Sequence, residues 1–287
     1  MPVLQAMLTG LVTGALYALV GMGLALVFGV MRVVNFAHGA FLMMGMYLTY
    51  FLYVGLHLSA YVSFPIVAVA LFVVGLLVYG ALVRHVMAAS HAMQILLTAG
   101  ISLFFVGLAQ VLFGADYCQL NLPIASKNDH LGSLTFNRAY LVSFLIAAGV
   151  SAALYWIVAR TEIGRAMRAV AQNRSIAALM GIKVERVSAI TFALGVGCAG
   201  IGGALLLPVF YAYPTVGDPF QLRSIVIVVL GGMGSIAGAA LGGVVLGIAE
   251  GLTAYLWSDS YSQVVNFVIF LLVLLMRPSG LFGKGVA

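Results

Sequence analysis

Ala6–Gly29 reads AMLTGLVTGALYALVGMGLALVFG, twenty-four residues without a charge. A helix rises about 1.5 Å per residue and a bilayer's hydrocarbon core is about 30 Å thick, so roughly 20 apolar residues cross it. The run is continuous. A membrane barrel would instead show strands of about ten residues with alternating polarity. Similar segments recur near 35–56, 61–83, 92–113, 139–159, 187–211 and 260–276. The segment 223–257 is too long for one span and marginal for two, and the glycine cluster LGGMGSIAG (Leu230–Gly238) interrupts it. It reads as a broken helix or a tight helical hairpin. Irregular backbone at membrane depth is tolerated only inside protein or along a cavity, which puts 230–238 within the bundle.

The expected fold is therefore all-α: a polytopic transmembrane helix bundle of about eight to nine membrane segments, one of them broken at a glycine cluster. A single domain over 1–287 carries a cytoplasmic loop at 160–186. Composition agrees. The chain is 64% hydrophobic and 7% charged, with mean hydropathy +1.17, whereas soluble domains carry about 25% charged residues. Glycine supplies 34 of the 287 residues, and in a bilayer it lets helix backbones approach closely. Gly234, Gly238 and Gly242 recur every fourth residue, as do Gly243, Gly247 and Gly251. Each set shares one helix face, which suits either core packing or a moving surface.

Charge sets the orientation. Six of the thirteen Lys and Arg residues lie between Arg160 and Arg186, a loop bias that marks the cytoplasmic side. It is not a nucleic-acid footprint, and no nucleic-acid partner is expected. Arg84, Arg277 and Lys284 mark further cytoplasmic turns. Counting spans then puts the N-terminus outside and the C-terminus in the cytoplasm, with 114–138 and YAYPTVGDPFQL (Tyr211–Leu222) outside. The N-terminus has no basic n-region and reads as mature sequence that enters the membrane directly.

Several chemistries are excluded. There is no Gly-x4-Gly-Lys-Ser/Thr run to cradle ATP phosphates. No Ser/His/Asp constellation or metal-ligand cluster stands out, so no catalytic site, metal or cofactor is expected. Cys118 and Cys198 lie far apart and read as small apolar residues. An ion-coupled transporter is the alternative from another class, and it needs an ionisable group inside the membrane. Of the seven acids, only Glu250 falls outside the predicted loops and their edges. It has no evident partner and reads as a structural hydrogen bond near the outer surface.

Two polar stretches interrupt the apolar chain. In VVNFAHGAF (Val33–Phe41), Arg32 sits at the cytoplasmic interface, Asn35 caps the following helix, and His38 lies one turn in. In TEIGRAMRAVAQNRSIAALMGIKVERV (Thr161–Val187), Arg165, Met167, Arg168 and Ala171 fit a short amphipathic helix. Asn173 or Ser175 caps a second one, Ile176–Met180, with Gly181 as its C′ residue. Ala177, Ala178 and Gly181 form a small-residue face suited to a groove on another protein.

This loop resembles the ATPase-coupling loop of inner-membrane permeases that import branched-chain amino acids by an ATP-binding-cassette mechanism. VVNFAHGAFLMMGMYL resembles that family's amino-terminal signature, VLGGMGSIAGAALGGVVLG its late glycine-rich segment, and MRPSGLFGK its ending. The chain is similar to the shorter of the two paired permeases. The Glu-Ala-Ala signature of many other importers' coupling loops is absent, and only Ala177-x3-Gly181 matches it. The resemblance implies a second homologous permease, two cytoplasmic ATPases and an extracytoplasmic substrate-binding protein, in the lipid of the bacterial inner membrane. The substrate would be a branched-chain or related hydrophobic amino acid. Urea, short amides or aromatic acids would be carried by a very similar sequence.

Residues are assigned accordingly. Coupling to the ATPases falls to Gly164, Arg165, Arg168, Ala177 and Gly181. Asn35, His38 and Gln94, with Gly232 and Gly234 of the glycine break, are candidates for the translocation path. Lys127, Arg138 and Arg223 are candidates for docking acidic lobes of the binding protein.

Overall fold

A computed structural model describes residues 2–120, 122, 127–131, 134–277 and 280–282. In chain order the elements are α1 (Pro2–Met31), α2 (His38–Leu56) and α3 (Ala60–Val78). A π-helical turn (Tyr79–Val83) carries α3 into α4 (Arg84–Val86), and α5 (His91–Phe113) follows. The antiparallel strands β1 (Asn128–Leu131) and β2 (Leu134–Asn137) precede α6 (Arg138–Arg160), α7 (Glu162–Gln172) and α8 (Arg174–Leu179). Last come α9 (Val184–Leu206), α10 (Gly217–Gly231), α11 (Ile236–Leu256), a 3-10 turn (Asp259–Tyr261) and α12 (Ser262–Met276). Among the described residues, eight helical segments are long and apolar enough to cross a membrane. At fifteen residues α10 is not; it reaches only about 22 Å. The bundle is polytopic and helical as expected, with one small β-hairpin that the sequence reading did not include.

Helices α1 and α9 are buried along most of their length. Glycines bring backbones together around them. Gly10 and Gly14 of α1 pack on Gly247 and Gly243 of α11, so these two helices run antiparallel. Gly75 of α3 packs on Ala193 of α9, and Gly200 of α9 packs on Leu71, again antiparallel. Helix α10 runs alongside α1 in the same direction: Tyr17 meets Phe220 and Gly21 meets Ile227, and beyond the end of α10 Gly29 meets Gly234. Helix α2 lies beside α9, with Phe41 on Phe192 and Gly45 on Gly200.

These pairings form an inverted repeat. The unit α1–break–α2–α3 corresponds to α9–break–α10–α11, and the α1/α11 contact corresponds to α9/α3. Gly39 and Gly217, the second residue of α2 and the first of α10, press against each other where the units cross. Such repeats, with helices broken near mid-membrane, are a common transporter plan.

The first break differs from the sequence reading. Arg32 takes a left-handed conformation (φ +56°) and ends α1. The chain then doubles back, and His38 Nε2 lies 2.9 Å from the Val20 carbonyl oxygen. Val20 is eleven residues before the end of α1, or about 16 Å along its axis. So α2 starts inside the bundle, not at the surface. The second break brings a matching correction. Gly217–Leu222, expected in an external loop, is already helix. The segment 223–257 is therefore the end of α10 plus all of α11, hinged at Gly232 (φ +97°) and Gly234 (φ +89°). The hairpin alternative is the correct one, with an earlier start. Beyond α12, Leu281 and Phe282 donate backbone N–H groups to the Leu230 and Gly231 carbonyls (2.9 and 3.2 Å), closing over this turn.

The two ends of the bundle differ in charge. The β-hairpin end holds Lys127 and Arg138 with Asp116, Asp129 and Asp259. The opposite end gathers Arg32, Arg84, Arg277 and the α6–α9 loops with their six basic residues. At the hairpin end Gln5 of α1 exchanges two hydrogen bonds with the backbone of Thr135, donating at 2.6 Å and accepting at 2.9 Å. Cys118 and Ala212 pair backbone to backbone at 2.8 and 2.9 Å.

Candidate functional site

The loop 161–183 is built by local capping. Thr161 Oγ1 accepts the Gly164 N–H at 3.2 Å and donates to the Ile157 carbonyl at 2.5 Å, turning α6 into α7. A β-carbon on Gly164 would collide with the carbonyls of Ile157 and Val158, so this corner admits only glycine. Arg168 donates from Nη1 to the Val158 carbonyl and ties α7 back to α6. Arg165 pairs with Glu162 at 3.4 Å on the exposed face, where such pairs contribute little. Met167 and Val170 bury the apolar face of α7. Asn173 Oδ1 accepts the Ile176 N–H at 3.0 Å and starts α8. At the other end Gly181 has φ +82°. Its N–H donates to Ala178 O (3.0 Å) and the Ile182 N–H to Ala177 O (3.1 Å), the two bonds of a Schellman cap.

The outward face of α8 is only partly the expected one: Ala178 and Gly181 are exposed, but Ala177 is not. Ala177 is buried in the loop's own packing, while Ile176, Leu179 and Met180 are 57%, 86% and 77% exposed. Three large apolar side chains thus project from a basic surface. Their spacing in a polar loop carried that signal in the sequence. Only the fold could show that Ala177 turns inward. At the start of α8 a cavity of about 640 Å³ is lined by Tyr79, Arg84, His85, Arg174 and Glu185, and Arg84 stands 3.9 Å from Glu185.

The five path candidates do not form one site. Asn35 and His38 come together at the central crossing, both fully buried. Asn35 is not a helix cap: its Oδ1 accepts the Ala37 N–H at 3.0 Å and shapes the turn before α2. The cap comes from α10. Gln221 Oε1 accepts the Gly39 N–H at 2.8 Å, and its Nε2 donates to the Asn35 carbonyl at 3.2 Å. No sequence signal could have identified Gln221, because the contact spans 182 residues. Gln94 donates to the carbonyls of Val86 (3.2 Å) and Ala89 (3.3 Å), closing the α4–α5 turn. Gly232 and Gly234 form the α10–α11 turn, packed on Gly280 and Gly29.

The docking candidates also separate. Lys127 is exposed next to the hairpin. Arg138 gives two 2.6 Å bonds to Asp129. Arg223, by contrast, lies in α10 between helices. Its Nε donates to Glu250 Oε1 at 2.7 Å, and Asn266 Nδ2 donates to the same oxygen at 2.5 Å. Its guanidinium carbon is 5.2 Å from the Tyr17 ring centroid and 5.5 Å from that of Phe220. The Arg223 and Glu250 side chains are 22% and 10% exposed. Glu250, without a visible partner in the sequence, has one in space.

The family described as branched-chain amino acid transport system / permease component matches residues 6–274. The high-affinity branched-chain amino acid transport system permease protein LivH of Salmonella typhimurium is 31% identical over 98% of this chain and 96% of its own length. BraD of Pseudomonas aeruginosa, of the same description, is 30% identical with the same coverage. A probable branched-chain amino acid transport permease protein LivH of Methanocaldococcus jannaschii is 28% identical over 93% of this chain and 89% of its own length. No solved structure matches the chain.

Proposed function

This chain belongs to the permease family of branched-chain amino acid transport systems, and from that premise we propose that it forms one half of a translocation path for branched-chain or related hydrophobic amino acids. It is a transport subunit rather than an enzyme. A second homologous permease supplies the other half, two cytoplasmic ATPases supply the energy, and an extracytoplasmic binding protein delivers the substrate. The basic end faces the cytoplasm of a bacterial inner membrane, and the hairpin end, with the N-terminus, faces outward. Lys127 and Arg138 then lie on the side that meets the binding protein.

The observation that carries this reading is the loop 161–183. Its two helices are capped at both ends, fixed to α6 by Gly164 and Arg168, and topped by Ile176, Leu179 and Met180. A passive topology signal needs only charge. A lever needs stiff elements and a knob that seats in a partner. ATPase closure would press on this knob and tilt α6 and α9, which flank the loop. The ion-coupled alternative loses support because Glu250 is committed to Arg223 and Asn266.

Purified complex in proteoliposomes tests the proposal. Uptake should require ATP inside and binding protein outside, and should continue after ion gradients are collapsed. Loss of uptake on collapsing the gradients, with ATP present, would overturn it.

A further inference from the structure

A cavity of about 400 Å³ lies between α10, α12 and the turns that precede them, at the hairpin end. That volume falls within the roughly 300–1,000 Å³ of small-ligand sites. Its walls combine three chemistries. Phe220, Val226 and Phe267 make an apolar and aromatic surface. Arg223 contributes a cation whose Nε is held by Glu250. Among the described residues neither Nη of Arg223 donates a hydrogen bond, so both are left for a ligand. Asp259 contributes an exposed carboxylate that accepts one bond, from Ser262 Oγ at 3.3 Å.

A guanidinium fixed through Nε and flanked by two rings is pre-oriented, and its Nη pair matches a carboxylate in fork geometry. A carboxylate across the same cavity matches an ammonium. The remaining wall matches a hydrocarbon. Resting on the importer reading above, we infer that this cavity receives the translocated solute as a zwitterion: carboxylate on Arg223, ammonium on Asp259, side chain against Phe220, Val226 and Phe267. The pair Glu250 and Asn266 keeps the guanidinium in place when the site is empty. An ethanolamine phospholipid headgroup carries the same two charges, so the test must separate solute from lipid.

The complete importer is reconstituted with Gln263→Cys, a residue on the cavity wall, in a chain with Cys118 and Cys198 replaced by Ala. The labelling rate by a polar maleimide is the readout. L-leucine should slow labelling. 4-Methylpentanoate, which lacks the ammonium, and isoamylamine, which lacks the carboxylate, should slow it far less. Arg223→Lys keeps a partner for Glu250 but loses the fork, and it should abolish protection; Asp259→Asn should weaken it. Equal protection by all three compounds, no protection by leucine, or full protection in Arg223→Lys would overturn the inference. So would labelling that responds to phosphatidylethanolamine in the vesicles and not to leucine. ATP-driven leucine uptake is measured in the same vesicles. Uptake without protection removes this inference alone, whereas protection without ATP-driven uptake removes the importer reading and leaves the site.

Discussion

Gly39 and Gly217 meet backbone to backbone, and each occupies the space where the other's β-carbon would stand. The contact joins the N-terminal ends of α2 and α10 at the crossing of the inverted repeat. Gln221, one turn into α10, reinforces it by accepting the Gly39 N–H. Both helix breaks therefore depend on this one point.

Alanine at either glycine should destabilise the fold. Overpacking a tight core costs about 1–3 kcal/mol, and here the obstacle is backbone, which cannot rotate away. The unfolding midpoint in detergent should fall for Gly39→Ala and for Gly217→Ala. The double variant should cost less than the sum, because one contact is lost twice. Gly100→Ala is the control: nothing lies within 4 Å of a β-carbon there, and its midpoint should not fall.

Arg223→Met should be more harmful than its position in a membrane helix suggests. It leaves Glu250, 10% exposed, without its cation, and breaking a buried pair costs about 3–5 kcal/mol. Adding Glu250→Met should recover part of the midpoint. No recovery would mean that the pair is incidental and that packing around Tyr17 carries the effect.

Leu179→Asp should leave the isolated chain folded, since that side chain is 86% exposed, yet stop ATP-driven uptake. If Leu179 is buried in a partner groove, about 1.5–3 kcal/mol is lost, or roughly a 10- to 100-fold weaker hold on the ATPase. Co-purification of the ATPase with the permease measures it. Unchanged co-purification and uptake would remove the knob from the coupling surface.

Gly181→Val separates stiffness from contact. No atom crowds a β-carbon at this position, but φ is +82°, and a left-handed non-glycine residue costs about 1–2 kcal/mol. The complex should assemble and hydrolyse ATP while uptake is lost. Normal transport by this variant would count strongly against a lever.

His38→Ala should lower stability and spare transport. It deletes a fully buried ring and its bond to the Val20 carbonyl, a change worth roughly 2–5 kcal/mol if the cavity does not collapse. A selective loss of uptake at an unchanged midpoint would instead put His38 on the path.

Sequence by itself determined what composition and near neighbours control. Seven apolar runs and one glycine-broken segment specify a helical membrane bundle, because too little polar surface exists for anything else. Charge clustered in 160–186 distinguishes the two ends. The caps at Asn173 and Gly181 were legible because each bond closes within five residues. Tertiary structure decided the rest. That α2 starts beside Val20, that α10 begins at Gly217, that Gln221 caps a helix far away in sequence, that Arg223 belongs to Glu250, and that Ala177 turns inward while Leu179 turns out: each depends on which backbones glycine allows to touch. Glycine has no side chain to announce its partner. Its information is the space it leaves open, and only the folded chain shows what fills that space.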